Sequence, residues 1–511
     1  MQLGNNSASV IVNQVTAPNP SQLLGMQEVA GSRATVILAN PAGINCSGCG
    51  VINADRFTLS TGRPVFGADG NLAGFDVRAG HIAIDGQGLS SPQAQVDLLA
   101  RSISINAELW TKHLNAVTGA NQVDYQSLNA TAQVGSGAAP QFALDASAVG
   151  SMFANGAIRL IGTEKGLGFN LGGVVGARGG DITVDNNGDV RVLASGRVQA
   201  EGGATMTGAN ISNAGTVTTR SSITATTPGQ LTNSGTLAAG IDLLGMADRI
   251  ANTGTIGAGV DANTNVTGAG TANLAARTAI QSSGKIVTGA DTNLSAPTLD
   301  LSNGTTVAHI TANLSASGDI VSRNARVEGA ALQVVAGGNV DNQGGALVAG
   351  AYGGQVNGAS ILNQNGAITS TGALGVSGTQ AVDNTGGTVA GNGTTTLSAP
   401  SLVNRSGTIG SVNDKLLVTG ALDNTSGKAL AATDLTVAGG KIINDHGLIS
   451  AARTCAWIPP GKNWSTPRAA LLAATSIPIQ LSSITTRASC SPPASWWSTR
   501  TGNCTTTARA G

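Results

Sequence analysis

Aromatic and charged residues are scarce in this 511-residue chain, at 3% and 11%, which excludes an ordinary globular core of large rings beneath a heavily charged shell. Any core must be packed from small aliphatics. There is no Lys/Arg run and the formal net charge is zero, so the electrostatic footprint of a nucleic-acid binder is missing and nucleic acid is not an expected partner. No stretch reaches the ~18 consecutive apolar residues of a membrane-spanning helix, and membrane insertion is not expected either. The start, Met1-Gln2-Leu3-Gly4-Asn5, lacks the charged-then-apolar order of a signal peptide. Only Cys46 and Cys49 fall within the first 450 residues, too few for a disulfide framework.

What is abundant is glycine. The 72 Gly are roughly twice the average share of about 7%, without the three-residue register of collagen, and so read as recurrent turns. With 41% apolar residues, and Val, Ile and Leu throughout, the composition is that of a folded chain and not of a disordered one.

Between Gly202 and Ser450 one unit recurs: an apolar residue, any residue, Asn, one or two residues, then Gly and a further apolar position. Ile211-Ser212-Asn213-Ala214-Gly215-Thr216-Val217, Leu231-Thr232-Asn233-Ser234-Gly235 and Ile250-Ala251-Asn252-Thr253-Gly254 are early copies. Val382-Asp383-Asn384, Leu402-Val403-Asn404, Leu422-Asp423-Asn424 and Ile442-Ile443-Asn444 begin later ones. A period of about 20 residues signals a solenoid, and the Thr/Val/Leu alternation between Asn/Gly turns signals strands. The expected fold is all-β: a parallel β-helix with three short strands and three turns per coil. One coil buries too little to fold alone, so coils must stack cooperatively. Asn213, Asn233, Asn252, Asn384, Asn404, Asn424 and Asn444 would then form a structural amide ladder.

Residues 1–175 lack the clean repeat but keep alternating strands, as in Ala34-Thr35-Val36-Ile37-Leu38, and are expected to form an irregular N-terminal β cap. Residues 176–450 are the repetitive shaft. After Ala451 the composition changes: four of the five Trp, six of the fifteen Pro, and Cys455, Cys490 and Cys504 lie there. Residues 451–511 therefore read as a non-native tail produced by a shifted reading frame, with a disordered linker as the alternative.

Three strings in the first region are distinctive: Asn19-Pro20-Ser21-Gln22-Leu23-Leu24-Gly25; Val36 to Asn53, which contains Asn40-Pro41-Ala42-Gly43-Ile44-Asn45-Cys46-Ser47-Gly48-Cys49; and Leu160-Ile161-Gly162-Thr163-Glu164-Lys165-Gly166-Leu167-Gly168. They resemble the secretion domain of two-partner-secretion exoproteins of the filamentous-haemagglutinin type, and the later repeats resemble that family's shaft. The resemblance implies a right-handed parallel β-helix, export across the inner membrane, and passage through a dedicated outer-membrane transporter that recognises the cap. It also implies a secreted or cell-surface location in a Gram-negative bacterium. The family's Asn-Pro-Asn-Gly-Ile motif stands here as Asn40-Pro41-Ala42-Gly43-Ile44. The upstream signal peptide and an earlier Asn-Pro-Asn-Leu motif are not seen, so the chain is read as a truncated fragment that is not secreted and stays in the cytoplasm.

The motif residues Asn40, Pro41, Gly43 and Ile44 are candidates for transporter contact, or equally for a turn that shapes the cap. Cys46 and Cys49 could be a redox or metal pair, but no strand-to-helix setting and no further ligands accompany them. The family often carries such a pair in a turn, which points to a structural turn with a local disulfide. His81, His113, His309 and His446 are scattered, and Asp181, Asp185 and Asp189 alternate with Asn in what reads as a turn. No catalytic residue, cofactor or metal is expected, and the chain is not read as an enzyme. The resemblance implies an adhesin or haemagglutinin that binds host-cell or bacterial receptors or glycans. The alternatives are the stalk of a contact-dependent growth-inhibition toxin and a polysaccharide-degrading β-helix enzyme.

Overall fold

A computed structural model describes residues 8–458. Among them every regular element is a strand, and the fold is a parallel β-solenoid of about 21 turns. The described residues divide into two compact units, one of residues 8–278 with 284–290, the other of residues 279–283 with 291–458.

In the first unit each coil contributes one strand to each of three parallel stacks. On the first face Val12 lies over Ile37, Ile37 over Thr58, Thr58 over Asp97 and Asp97 over Asn115. The second face stacks Leu23, Cys46, Ile84 and Ile105, and then Ala146, Leu171 and Val192. The third stacks Leu109, Met152, Val175, Val198, Val217, Leu237, Ile256 and Ile286. Strand alternation turns every second side chain inward, and the inward columns are fully buried aliphatics such as Ile158, Ile182, Ala204 and Ile223. Size alternates within a column, as in Leu160, Val184, Met206 and Ala225. The narrow lumen holds few rings, which accounts for the shortage of aromatics.

The irregularity expected of residues 1–175 has a definite form. Parallel stacking is present from Val10–Gln14 onward, and a four-stranded antiparallel sheet of Arg63–Phe66, Leu72–Val77, Asn121–Asp124 and Ala130–Ala132 is inserted beside it. Phe75, Val77, Val123, Tyr125 and Leu128 from this insertion pack on Ile37, Leu99 and Val117, side chains of the first face.

In the second unit an amide column runs through consecutive coils. Asn342 Nδ2 donates to Asn363 Oδ1 at 2.8 Å, and Asn363 to Asn384, Asn384 to Asn404, Asn404 to Asn424 and Asn424 to Asn444 each at 2.7 Å. Asn213, Asn233 and Asn252 form a shorter column in the first unit, both steps 2.8 Å. The turns after the two columns differ. In the first unit Asn and Gly are separated by one residue and the turn contains no left-handed residue. In the second they are separated by two, and the residue before the Gly is left-handed: Asn365 (φ 55°), Ser406 (φ 54°), Ser426 (φ 56°) and His446 (φ 51°). The Gly itself is required by close approach: a Cβ on Gly387 would lie 2.1 Å from the Asn363 carbonyl oxygen.

Asp414 is a buried carboxyl in the second unit. It is 1% exposed, accepts from Ser411 Oγ at 2.6 Å, and stacks in register on Thr395. Among the described residues, Asp414 Oδ2 and Thr395 Oγ1 find no hydrogen-bond partner. Burial pushes the carboxyl up to about 6, against a smaller opposing effect of Ser411. The folded state thus holds the proton more tightly than the unfolded one, so this group's stabilising contribution is complete below about pH 4 and is lost as pH rises through about 6. Asp414→Asn is expected to stabilise the second unit by about 2–3 kcal/mol near pH 7.5 and by little near pH 4. Urea unfolding at the two pH values checks this, and an equal effect at both would refute it.

The regular stacking passes residue 451. Thr454–Ile458 pairs in parallel with Asp434–Ala438, and Cys455 is buried and unpaired. The rest of the expected tail, with Cys490 and Cys504, lies outside the described residues.

Candidate functional site

The distinctive strings converge on the first coils of the first unit. Asn40 is fully buried at the corner between the first and second faces. Its Nδ2 donates to the Asn19 carbonyl at 2.9 Å and to Ser21 Oγ at 2.8 Å, and its Oδ1 accepts from the Ala42 N–H at 2.9 Å. One side chain therefore closes its own turn and ties it to the turn of the preceding coil, which is why Asn19-Pro20-Ser21 and Asn40-Pro41-Ala42 stack. Pro41 is half-buried. Gly43 has φ 122°, and a Cβ there would stand 3.1 Å from the His81 carbonyl oxygen. Ile44 enters the core between Ser21 and Ile82. At the next corner Cys46 and Cys49 form a disulfide, Cα atoms 5.4 Å apart.

The third string anchors the coil beyond. Glu164 receives Arg101 in a two-pronged pair, Nε to Oε2 at 3.0 Å and Nη2 to Oε1 at 2.7 Å. Arg101 Nη1 also donates to the carbonyls of Ser136 and Ala138 at 2.9 and 3.1 Å, pinning that loop against the coil. The guanidinium hydrogen bonds hold the Glu164 carboxyl below the usual carboxylate range. Between these strings lies a second buried pair. Asp97 is fully buried and accepts from Arg56, from Thr58 Oγ1 at 3.1 Å, and from Gln95 and Asn115 side chains at 2.9 Å each. Arg56 also lies over the Tyr125 ring, 4.5 Å from its centroid, and donates to the Tyr125 carbonyl at 3.0 Å. It thereby fastens the inserted sheet to the first face.

Sequence reasoning did not single out Arg56, Asp97 or Arg101: the Arg56–Asp97 and Arg101–Glu164 ion pairs join residues 41 and 63 positions apart. It also passed over Asn342 and Asn363, although Val340-Asp341-Asn342 and Ile361-Leu362-Asn363 carry the same apolar-x-Asn signal. The other polar candidates do not converge. His81 bridges Ser102 and Ser104 at 2.9 Å each, desolvation lowering its pKa below the ordinary value. His113 Nδ1 accepts from the Ala157 N–H, and His446 faces Asp445 in a turn. Asp181 caps the Gly203 N–H while Asp189 accepts from Asn210. Among the described residues no three His, Cys, Asp or Glu side chains gather as a metal site.

The second face marks a boundary. Its last column is apolar through Val192 and becomes Asn in the next coil, at Asn213. Asn213 Oδ1 has no partner because the residue beneath it is Val192. The family model described as TPS secretion domain matches residues 3–192 and ends at the same residue. Similar proteins include the tRNA nuclease CdiA-2 of Burkholderia pseudomallei, 45% identical over 196 residues and 38% of this chain, and Toxin CdiA of Yersinia pestis, 49% identical over 189 residues and 36% of this chain. A third is the 16S rRNA endonuclease CdiA of Enterobacter cloacae, 46% identical over 193 residues and 37% of this chain. The chain spans 6% of the length of each. A crystal structure of a filamentous hemagglutinin secretion domain is similar at 30% identity, covering 41% of this chain and 71% of that one, with a TM-score of 0.34. Residues 3–192 thus match the secretion domain of the two-partner-secretion exoprotein family.

Proposed function

We propose that this chain is the secretion domain and the first part of the shaft of an exported surface adhesin, which a partner transporter in the outer membrane of a Gram-negative bacterium recognises and translocates. The observation that carries this reading is the coincidence at residue 192, where the family match ends and the core column changes from aliphatic to amide. The Asn40–Ile44 motif acts by shaping the first corner, since the Asn40 side chain is spent on internal hydrogen bonds and is not offered outward. The role of the shaft is presentation: a stack of coils exposes many outward side chains to receptors or glycans while burying mainly aliphatics and amides.

Export is the test. With a secretory signal peptide fused at its start, the chain is expected in the culture medium when its outer-membrane transporter is co-expressed and in the periplasm when it is not. Equal release with and without the transporter would overturn the reading.

A second reading, the stalk of a contact-dependent growth-inhibition toxin, is favoured by the toxin and nuclease names of the relatives. Those names describe proteins of which this chain covers 6%, and no nuclease activity is assigned to residues 1–511. A toxin domain encoded downstream, followed by a small immunity gene, would select the second reading. A polysaccharide-cleaving enzyme has less support, because Asp181 and Asp189 serve separate turns.

A further inference from the structure

The outward side of the third face carries a groove that the secretion reading does not use. Its outward column runs Trp110, Phe153, Gly176, Gln199, Thr218 and Ala238, one residue per coil. At one end Trp110 and Phe153 stack, centroids 4.3 Å apart and planes 23° from parallel, with the Arg178 guanidinium over the indole. At the other end the loop around Val260 folds back over the face, Val260 packing on Ala238 and Val287. Between these two walls lies a groove of about 620 Å³, floored by Gly176, Gln199 and Thr218. Its rim carries Glu201 and Arg220, an exposed ion pair at 2.6 Å.

We infer that this groove binds a neutral oligosaccharide. Its walls give one aromatic surface suited to the C–H face of a sugar ring, while the carboxylate and guanidinium of its rim and the Gln199 carboxamide of its floor suit vicinal hydroxyls. The floor presents a fresh outward side chain every ~4.8 Å, comparable with the rise of one pyranose. Other ligand classes fit poorly. An extended peptide needs unpaired backbone groups, whereas the floor strands are paired to coils on both sides. A nucleic acid or acidic polymer needs excess positive charge, whereas Arg178 and Arg220 are balanced by Glu201 and Asp261 around the same groove. A lipid tail needs an unbroken apolar lining, whereas here Phe153, Ala200 and Val260 are interleaved with Gln199, Glu201 and Arg220.

This inference relies on the proposed function only for its biological setting. Because the test uses the purified chain, failed export and failed binding remain distinguishable. The chain is applied to an array of neutral glucans, galactans and mannans alongside sialylated and sulfated oligosaccharides, and affinity for the best glycan is measured by calorimetry. Binding to a neutral glycan is expected. It should fall at least tenfold in Thr218→Trp, which fills the floor, and also in the double variant Glu201→Gln/Arg220→Gln, whose exposed side chains leave the fold intact, each with unchanged thermal unfolding. Binding confined to acidic glycans, no binding at all, or binding indifferent to both variants would overturn the assignment.

Discussion

Asn384→Ala is expected to destabilise the second unit by about 2–5 kcal/mol. Asn384 is fully buried and accepts from Asn363 while donating to Asn404, both at 2.7 Å. Its Nδ2 also reaches the carbonyls of Gly387 and Thr408 at 3.2 Å. Alanine leaves the buried Asn404 Oδ1 without its Asn384 donor and removes one acceptor of Asn363 Nδ2, which keeps only its longer contacts to the Gly366 and Thr388 carbonyls at 3.2 Å. The opening should be local because each coil touches only its neighbours. Hydrogen exchange should therefore speed up in the coils spanning residues 363–427, while Asn213 and its neighbours in the first unit keep their protection. Asn444→Ala supplies the internal comparison. Its Nδ2 reaches the Gly447 carbonyl and its Oδ1 accepts from Asn424, so its loss is expected to cost about 1 kcal/mol. Equal losses at Asn384 and Asn444 would show that the amide column is not cooperative.

In the secretion domain the largest effect is expected at Arg56. Arg56→Met preserves the length of the side chain and removes its charge, leaving the fully buried Asp97 carboxylate with only the neutral donors Thr58, Gln95 and Asn115. Removing one partner of a buried ion pair costs about 3–5 kcal/mol. The same change breaks the contact with Tyr125, so proteolysis should appear first in the inserted sheet, residues 63–77 and 121–132. Restoring neutrality with Asp97→Asn in the same chain is expected to recover part of the loss. If the single variant resists unfolding and proteolysis like the parent chain, the pair does not anchor the sheet.

The legible parts of this protein are those with a short period. Alternation within four-residue strands and Asn–Gly at about 20 residues are local patterns, and they suffice for an all-β solenoid because no helix accommodates them. One detail was visible without being interpretable: the spacing of one or two residues between Asn and Gly. Only the folded chain shows that the extra residue is a left-handed one, as at Ser406 and Ser426, and that the two spacings belong to different units. The Gly was equally visible, but its reason is the carbonyl of the coil beneath, as at Gly387, and no local pattern contains that neighbour.

Along the candidate site the same division holds. Asn40, Gly43, Cys46 and Cys49 stand in one recognisable string. Their setting comes from outside it: Asn19 and Ser21 stand in a separate string one coil earlier, a juxtaposition that only stacking creates, and His81 stands in no string. Arg56, Asp97 and Arg101 carry no local signal, since an Arg or Asp on a strand is ordinarily a solvated side chain. Burial beneath an inserted sheet or loop makes them indispensable. By itself, then, the sequence determined the strand period, the turn chemistry and the secretion-domain strings, because each depends on residues a few positions apart. Tertiary structure alone decided which coil faces which, where the column turns from aliphatic to amide, and which charges lose their water, because those depend on residues brought together by stacking across 20 to 60 positions.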